Sequence, residues 1–328
     1  MKHLVLPNGL RGDTIRPSGA LKAFHSAATR DAALLLGDLV SIDCPACGGA
    51  SERAFDREGF TFRECATCES LFASPRPTAE AVVRFYRETE AGRLRVEYFR
   101  AADEDRLTHV VRSRVDWVAN LSAGAGREPL RLADVGTLYP SFLAEVRTQG
   151  VASVCHAVDV PPGLEEVIRE AGAEVVSEPV GATADIVTAF EQLEHQADPC
   201  GYLCRLRGYL RPGGWLFATT RSASGFDLLV LWDRAPYVFV PEHMNLMSVE
   251  GLQSLFDACG FEVVELSTPG RLDVELVERS AREHGIELPR LIRYLLRHRG
   301  DQCRSDLQEL LQRHRLSSHV RIAARARP

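Results

Sequence analysis

The stretch RLADVGTLYPSFL, residues 131–143, decides the fold class. An apolar run ends in Asp134 and Gly136, and an amphipathic segment follows a few residues later, as in a strand that turns into a helix. Glycines in such a turn supply positive φ and let backbone amides approach a nucleotide-like ligand closely. Leu138 and Pro140 occupy two positions where a nucleotide-binding turn usually repeats glycine. The stretch therefore raises the question whether this loop still holds a ligand.

Short β-rich runs and amphipathic segments alternate after this stretch. The further runs are SVCHAVDV, ADIVTAF, GWLFATT and FEVVEL. Most of them are apolar nearly throughout, which is typical of strands covered on both faces. Three of the intervening segments end in Gly150, Gly172 and Gly260, where a left-handed residue closes a helix. The pattern predicts an α/β fold with a doubly wound parallel sheet and helices on both faces.

The rest of the chain divides by composition. Residues 1–40 are weakly periodic and predict a helical extension, residues 41–77 are a short cysteine-bearing module, and residues 78–127 predict a helical connector or cap. Residues 128–328 are expected to form the sheet domain, with a helical insertion at about 270–316 before a final strand. The insertion is where a lid or a homodimer surface is expected.

The totals exclude several classes of protein. The chain has 328 residues, 45% hydrophobic and 26% charged, with 39 basic against 45 acidic side chains. A formal charge of -6 gives no global attraction to nucleic acid or to an anionic membrane. Pro7 and Gly9 interrupt the stretch where a secretory signal needs an apolar run, and no segment is long and apolar enough to predict a transmembrane helix. A cytoplasmic protein is expected.

Four of the nine cysteines form two close pairs with zinc-site spacing. The sequences CPACG and CATC place two residues between the cysteines of each pair, so one turn presents both sulfurs to one ion. The four residues are Cys44, Cys47, Cys65 and Cys68. A closed four-thiolate site has no open position for catalysis, which favours one structural Zn²⁺ that stabilises a small module. Recognition of a substrate or partner by this module is the alternative.

The other cysteines are expected to be core residues. Cys200 and Cys204 lie one helical turn apart, but the sequence shows no two further ligands beside them. They are therefore not predicted to bind a metal.

The ligand of a doubly wound sheet lies at the carboxyl ends of the strands, at the switch point beside the first strand. The residues at these ends are Asp134 to Pro140, Asp159, and the stretch from Phe190 to His195. Asp159 lies 25 residues after Asp134, about where an acidic side chain accepts hydrogen bonds from both hydroxyls of a ribose.

Several motifs together resemble the class I S-adenosylmethionine-dependent methyltransferases. They are LADVG to SFL, VDV, ADIVTAFEQLEHQADP, YLRPGGWLFATT, PEHMNLMS and ACGFEVVEL, in the order and spacing of that family. More narrowly, residues 41–268 resemble bacterial small-molecule methyltransferases that carry an N-terminal four-Cys zinc module. The resemblance implies a Rossmann-like methyltransferase sheet with a zinc-ribbon-like module and helical additions.

The resemblance also implies site residues. The cofactor-binding residues that it implies are Asp134, Gly136 and Thr137 near the methionine portion, Asp159 on the ribose, and Phe190 and Glu191 along the pocket. Glu194 and His195 match a family signature. A structural role, in capping and anchoring the loop, is at least as well supported for them as a catalytic role. Leu138 and Pro140 depart from the family's glycine pattern. Either the loop takes another course, with contacts from Tyr139 or Ser141, or the pocket has lost the cofactor.

Methyl transfer to a hydroxyl or a carbon acid requires an aligned acceptor and a proton acceptor. His243 is the first candidate, because an imidazole titrates near neutral pH, and Glu242 and Glu191 are the others. Tyr237 and Trp232 are candidates for walls of the acceptor pocket. His319 is expected to be an ordinary histidine at the end of a strand.

The sequence thus predicts a methyltransferase that uses S-adenosylmethionine and Zn²⁺ and acts on a small metabolite, such as a sugar nucleotide or a natural-product intermediate. A methyltransferase-like protein that has lost catalysis and binds a ligand or partner is the second hypothesis. A nucleic-acid-binding zinc-ribbon protein is the third, and the acidic net charge argues against it.

Overall fold

A computed structural model describes residues 19–106, 110–124, 130–137, 139–179 and 181–327. Leu138, on which the question about the glycine loop depends, lies outside the described residues, as does the start of the predicted extension, residues 1–18.

The chain before residue 125 forms helices and short strands. They are α1 (Gly19–Asp31), β1 (Leu39–Val40), β2 (Ser51–Arg57), β3 (Phe60–Cys65), β4 (Leu71–Ala73), β5 (Arg76–Pro77), α2 (Ala79–Glu88), α3 (Glu90–Arg106) and α4 (Arg112–Ser122). Strand β1 pairs with β5, and β2, β3 and β4 form an antiparallel sheet that carries the cysteine pairs. Helix α2 begins after Thr78, whose side chain accepts a hydrogen bond from the amide of Ala81.

The chain after residue 130 alternates strands and helices as predicted. The elements are β6 (Arg131–Val135), α5 (Pro140–Thr148), β7 (Val154–Val158), α6 (Glu165–Glu170), β8 (Glu174–Val175), β9 (Ala184–Phe190), α7 (Pro199–Tyr209), β10 (Leu210–Arg221), α8 (Phe226–Leu231), β11 (Asn245–Leu246), α9 (Val249–Ala258), β12 (Phe261–Ser267), α10 (Asp273–His284), α11 (Arg290–His298), α12 (Gly300–Arg313) and β13 (His319–Ala326). Gly150, Gly172 and Gly260 have φ of +68°, +88° and +80°. These three left-handed residues confirm the predicted helix ends.

Seven strands form one sheet in the order β8-β7-β6-β9-β10-β13-β12. All pairs from β8 to β10 are parallel, and β13 runs antiparallel to both of its neighbours. The chain moves outward from β6 through β7 to β8 and then returns to the other side of β6 at β9. The doubly wound α/β fold with an N-terminal four-Cys module is confirmed, and the switch point lies between β6 and β9.

Alternate residues along each strand pack on opposite faces of the sheet. Ala133 and Val187 belong to one buried cluster, which includes residues of α7 and α9. Leu132 and Ile186 belong to another, which includes residues of α4, α5 and α6. Because every residue of β9 is buried, apolar side chains are needed on both of its faces, as the continuous apolar run predicts.

A third buried cluster covers the carboxyl end of the sheet. It joins residues of α1, α2, β3, α8 and the segment 235–246 with residues of α10, α11 and α12. Strand β11 leaves the sheet domain and pairs with β4, so the sheet of the cysteine module has the order β11-β4-β3-β2. The segment that carries Glu242 and His243 is therefore anchored to the cysteine module by backbone hydrogen bonds.

Among the described residues, no helix is both long enough and apolar enough to cross a membrane.

Candidate active site

The turn after β6 lies at the switch point and requires glycine. Gly136 has φ +74°, and its amide donates a hydrogen bond to the carbonyl of Val158 at 2.9 Å. A Cβ at Gly136 would lie 2.3 Å from Cδ of Gln192. The carboxamide of Gln192 is held there because its Nε2 donates to the carbonyl oxygens of Gly136 at 3.1 Å and of Phe190 at 3.2 Å. Only glycine fits this position without moving Gln192.

Pro140 is the first residue of α5. A proline there is compatible with the helix, because the first amide of a helix has no partner within the helix. The fold accommodates this departure from the glycine pattern. It leaves the helix N-terminus with one fewer amide to offer an anion.

Asp134 is buried, and its carboxylate is oriented by a neighbouring strand. Its Oδ1 accepts a hydrogen bond from Thr188 Oγ1 at 2.6 Å. Burial raises the pKa of Asp134, while the hydrogen bonds from threonine side chains oppose that shift. Thr137 donates its hydroxyl to the backbone oxygen of Asp134 at 3.0 Å and is itself buried. These contacts fix the shape of the turn.

Asp159 follows β7 in a left-handed conformation with φ +53°. Its carboxylate forms an ion pair with the guanidinium of Arg205 on α7, and both side chains are partly exposed. Because Gly136 is bonded to Val158, the turn after β6 and the carboxylate after β7 lie side by side. Arg205 thus pairs with the same carboxylate that the resemblance predicts to bind the ribose of the cofactor.

Glu191 follows β9, again with positive φ, and is surrounded by polar partners. Its Oε1 accepts hydrogen bonds from Arg114 Nη2 at 2.5 Å and Thr219 Oγ1 at 2.8 Å, and it lies 3.6 Å from His319 Nδ1. Burial acts to raise the pKa of Glu191, but His319, Arg114 and Thr219 outweigh it and lower this pKa to about 2. Burial also lowers the pKa of His319 to about 4. His319 is therefore uncharged at neutral pH, and Arg114 is the cation that keeps Glu191 ionised.

Glu242 lies in a second buried polar group, which we call the Glu242 cluster. It consists of Tyr86, Arg95, His195, Glu242 and His243. Glu242 Oε1 accepts hydrogen bonds from Tyr86 Oη at 2.6 Å and Arg95 Nε at 3.0 Å. Burial alone raises the pKa of Glu242, but Arg95 and the other partners lower it to about 2, so the carboxylate is ionised. Arg95 Nη2 also lies 3.3 Å from Nε2 of His195.

The two histidines of the Glu242 cluster are uncharged at neutral pH. Burial lowers the pKa of His195 to about 4 and that of His243 to about 3. Their ring centroids are 5.9 Å apart. Within the described part of the chain, Nδ1 of each ring is buried without a hydrogen-bond partner. A neutral imidazole with an unengaged nitrogen can accept a proton.

Glu194 and Arg221 are two further charged residues near Glu191 and the Glu242 cluster. Burial and the nearby charge of Glu191 raise the pKa of Glu194 to about 8. Its carboxyl is bonded to Thr220 Oγ1 at 2.8 Å. Arg221 pairs with Asp227 at 2.6 Å and lies 3.8 Å from the ring centroid of Tyr237.

Most of the site residues predicted from the sequence lie together at the carboxyl end of the sheet, but Trp232 does not. Glu191, Glu242 and His243 lie at the carboxyl end of the sheet, and Phe190 is buried there beneath the guanidinium of Arg114 at 4.7 Å. Tyr237 lies edge-on to His243, with ring centroids 5.8 Å apart. Trp232 instead packs against Phe55 of β2.

Sequence reasoning missed Tyr86, Arg95 and Arg114. All three lie on helices before the sheet domain and carry no motif of their own. Their only local signal is the amphipathic pattern of those helices, which does not distinguish a buried cation from a solvated one. The contacts that define their roles join residues 77 to 156 positions apart in the chain.

The four paired cysteines converge on one point, with every sulfur within 4.8 Å of the others. Sγ of Cys47 lies 3.5 Å from those of Cys65 and Cys68, and the sulfurs of Cys44 and Cys68 are 3.6 Å apart. A tetrahedral ion with bonds of about 2.3 Å to sulfur separates its ligands by about 3.8 Å. The cluster has the dimensions of such a site.

The cysteine cluster is joined to the sheet domain through Ser248. The amide of Ser248 donates a hydrogen bond to Ser70 Oγ at 3.0 Å, and its hydroxyl donates to the backbone oxygen of Cys68. Ser248 is also the N-cap of α9, because its Oγ accepts from the amide of Gly251 at 2.8 Å. The start of α9 and the second cysteine turn are thus held together.

Solved structures with a similar fold include methyltransferases. An S-adenosylmethionine-dependent methyltransferase from Mesorhizobium loti is 13% identical, with a TM-score of 0.43 over 67% of this chain and 99% of that one. The 1,6-didemethyltoxoflavin-N1-methyltransferase of Burkholderia thailandensis, with bound 1,6-didemethyltoxoflavin and S-adenosylhomocysteine, is 14% identical. Its TM-score is 0.45 over 84% of this chain and all of that one.

Curated relatives match part of the chain. The ubiquinone biosynthesis O-methyltransferase of Albidiferax ferrireducens is 27% identical over 131 residues, which are 36% of this chain and 51% of the relative. The enzyme of the same name from Aeromonas salmonicida is 25% identical over 172 residues, 47% of this chain and 71% of the relative. The chain spans about half the length of most of the curated relatives that it matches.

A family model matches the middle of the chain. Residues 105–266 match the family model described as "Methyltransferase domain". This range begins at the end of α3, includes the switch-point turn and the residues Glu191, His195, Glu242 and His243, and ends within β12. Tyr86, Arg95 and His319, which complete the two polar groups, lie outside it. Residues 105–266, just under half of the chain, are therefore similar to the methyltransferase domain family.

Proposed function

We propose that this protein transfers a methyl group from S-adenosylmethionine to a small metabolite. The observation that carries the proposal is the hydrogen bond from the amide of Gly136 to the carbonyl of Val158. It places a glycine turn at the switch point directly beside the carboxylate of Asp159, on the edge of the sheet where doubly wound folds bind ligands.

The residues present fit the adenosyl cofactor. Asp159 would accept hydrogen bonds from the two ribose hydroxyls, since its carboxylate is partly exposed and lies at the end of β7. The carboxamide of Gln192 lies directly against Gly136, where it can bond polar groups of the methionine portion. Arg205 must leave Asp159 for this to happen, and an ion pair with partly exposed side chains is weak enough to be exchanged. The cofactor would supply the electrophilic methyl group.

The Glu242 cluster would handle the acceptor's proton. His243 and His195 are uncharged, and each has a buried nitrogen that can accept a hydrogen bond from the acceptor. Burial lowers their pKa values to about 3 and 4 and so weakens both rings as bases, and proton transfer to either ring depends on the charge beside it. The ionised Glu242 stabilises the imidazolium that results. Tyr86 and Arg95 hold Glu242 in place, so we assign them a positioning role.

We further propose that Cys44, Cys47, Cys65 and Cys68 bind one Zn²⁺. The sulfur separations support it, and thiolates are ligands that Zn²⁺ prefers. Four protein ligands leave no position for substrate, so the ion would be structural. Through β11 and Ser248, it would also fix the segment that carries Glu242 and His243.

The burial of the Glu242 cluster favours a small methyl acceptor over a polymer. Glu242 is buried and is bonded to Tyr86 on α2 and Arg95 on α3, so the cluster is enclosed by the helices before the sheet domain. The curated relatives are named for ubiquinone biosynthesis, which is small-molecule chemistry. A sugar nucleotide or a natural-product intermediate remains the predicted acceptor class. A homodimer and a cytoplasmic location also remain predictions.

The test is calorimetric titration of the full chain with S-adenosylmethionine and with S-adenosylhomocysteine. We expect saturable binding of both at one site per chain. The Arg205–Asp159 ion pair favours the second function, a ligand-binding protein that has lost the cofactor. Absence of heat and of any thermal shift at millimolar concentration of both compounds would exclude methyl transfer from S-adenosylmethionine and leave the second function as the proposal.

A further inference from the structure

A second group of thiols lies far from the four-Cys cluster in the chain. Cys200 and Cys204 on α7 and Cys259 at the end of α9 bring their sulfurs within 4.8 Å of one another. The sulfurs of Cys200 and Cys259 are 3.0 Å apart. The expectation that the other cysteines are core residues is wrong for Cys200 and Cys204, which are exposed, and correct for Cys259, which is buried. We call these three residues the Cys200 cluster.

We propose that the Cys200 cluster binds a thiolate-preferring metal ion, for which Zn²⁺ is the probe. Three soft sulfur ligands favour ions such as Zn²⁺ over Mg²⁺ or Ca²⁺. In both clusters all sulfurs lie within 4.8 Å of one another. The 3.0 Å between the sulfurs of Cys200 and Cys259 is shorter than the roughly 3.8 Å between ligands of a tetrahedral ion, so an ion bound here would move these two sulfurs apart. The Cys200 cluster differs in having three ligands, with two of them at the surface. A tetrahedral ion held here would keep one position open to water or another small ligand.

The fold positions the three sulfurs independently of any metal. Helix α7 is capped by Asp198, whose carboxylate accepts a hydrogen bond from the amide of Gly201 at 2.9 Å. Cys200 therefore lies in the first turn of α7. Cys204 follows four residues later on the same face.

The third ligand is fixed from the opposite helix. The amide of Cys259 donates a hydrogen bond to the carbonyl of Leu255 at 3.0 Å and ends α9, and Gly260 then reverses the chain with φ +80°. The buried thiol of Cys259 thus lies beneath the two exposed thiols of α7. An ion bound by all three would link α7 to the end of α9, two helices on the same face of the sheet.

The test is the zinc content of the full-length chain, purified with a phosphine reductant, exchanged against Zn²⁺ and desalted. We expect two zinc ions per chain in the wild type and one in each of the variants Cys204→Ser and Cys200→Ser. Cys204 is exposed, so its substitution should not impair folding. Cys303→Ser, a control on α12 outside both clusters, should retain two. Cobalt substitution should reproduce these numbers through its thiolate charge-transfer absorption.

The design separates this proposal from the zinc proposed at the four-Cys cluster. A Cys47→Ser variant should keep the ion of the Cys200 cluster and lose the other. If the wild type binds one ion that Cys204→Ser retains, the Cys200 cluster binds no metal and the proposal fails. If the wild type binds one ion that Cys204→Ser loses, the proposal holds and the four-Cys site fails. A Cys200–Cys259 disulfide found by mass spectrometry in the reduced, zinc-treated chain would also overturn the proposal.

Discussion

Arg114 Nη2 donates a hydrogen bond to Glu191 Oε1 at 2.5 Å and so joins α4 to the end of β9. Both residues lie at the carboxyl edge of the sheet, and the Arg114 side chain is only 5% exposed. The contact links a helix that precedes the sheet domain to the residue after the switch-point strand. Glu191 has a positive φ of +54° at this position.

Arg114→Met should leave the Glu191 carboxylate buried without its cation. We expect a loss of about 3 kcal/mol in the free energy of unfolding, since breaking a buried ion pair leaves an uncompensated charge. Urea unfolding followed by circular dichroism measures it. Arg112→Met on the same helix is the control, because the Arg112–Glu145 pair is long and Arg112 is exposed, and its effect should stay below about 0.5 kcal/mol. Equal losses in the two variants would contradict the assigned role of Arg114.

Asp159→Asn should weaken binding of S-adenosylmethionine about 10- to 100-fold, because hydrogen bonds to a charged group contribute about 1.5–3 kcal/mol. Arg205→Ala should bind the cofactor at least as tightly as the wild type, because Arg205 competes for Asp159. Asp257→Asn, which removes the surface partner of Arg327, is the matched control and should change nothing. Calorimetry measures all three. Weaker binding by Arg205→Ala would show that Arg205 itself holds the cofactor.

Glu194→Gln should flatten the dependence of stability on pH. The folded-state pKa of Glu194, about 8, lies above its ordinary value of 4.5, so the folded chain keeps a proton that the unfolded chain releases. The stabilisation from this group is complete below pH 4.5 and is lost as the pH rises through 8, by up to about 1.4 kcal/mol per pH unit. The variant should therefore gain stability relative to the wild type between pH 5 and pH 8.

Chemical unfolding at several pH values checks this prediction. Glu262→Gln, at an exposed position of β12, is the control and should follow the wild-type curve. A constant difference in free energy between Glu194→Gln and the wild type across this range would show that Glu194 does not retain its proton in the folded chain.

Cys68→Ser should abolish zinc binding at the four-Cys cluster and lower the melting temperature, because structural zinc contributes folding free energy directly. The effect should extend to residues 242–248, since the hydroxyl of Ser248 donates to the backbone of Cys68 and β11 pairs with β4. Hydrogen exchange of this segment should accelerate in the variant and stay unchanged in Cys303→Ser. Unchanged hydrogen exchange of residues 242–248 in Cys68→Ser would show that the four-Cys cluster does not stabilise this segment.

Gly136→Ala should destabilise the chain more than Gly150→Ala. Both glycines have similar left-handed φ, so both variants carry the same backbone strain of about 1 kcal/mol or more. A Cβ at Gly150 meets open space, whereas one at Gly136 meets the hydrogen-bonded carboxamide of Gln192. We expect a further loss of about 1 kcal/mol for the displaced hydrogen bonds of Gln192. Equal unfolding free energies would mean that Gln192 moves without cost.

Much of the architecture was predictable because its signals are local. The apolar run of β9 and the glycines that end three helices each depend on a few neighbouring residues. The spacing of the cysteine pairs likewise needs only a turn that presents two sulfurs together. The alternation of strands and helices along the chain then predicts a parallel sheet. In such a sheet, ligands bind at the carboxyl ends of the strands.

The charge state of the site was not predictable from the sequence. His243 was proposed as a base because an unperturbed imidazole titrates near neutrality, yet burial lowers its pKa to about 3. Glu194 and Glu242 are both buried glutamates of the same region, but their pKa values shift in opposite directions. Glu242 has Arg95 beside it, whereas Glu194 faces the charge of Glu191.

The sequence by itself determined the doubly wound sheet, the four-Cys cluster and the edge of the sheet where the candidate residues meet, because each follows from short-range periodicity or spacing. Only the tertiary structure decided which partners those residues have. It brought Arg95 to Glu242, Arg114 to Glu191, Arg205 to Asp159, and Cys259 to the two thiols of α7. These contacts join residues 46 to 147 positions apart, and at Glu242 the balance between burial and the charge of Arg95 sets the charge of the carboxyl group. No local pattern records either the contact or the burial.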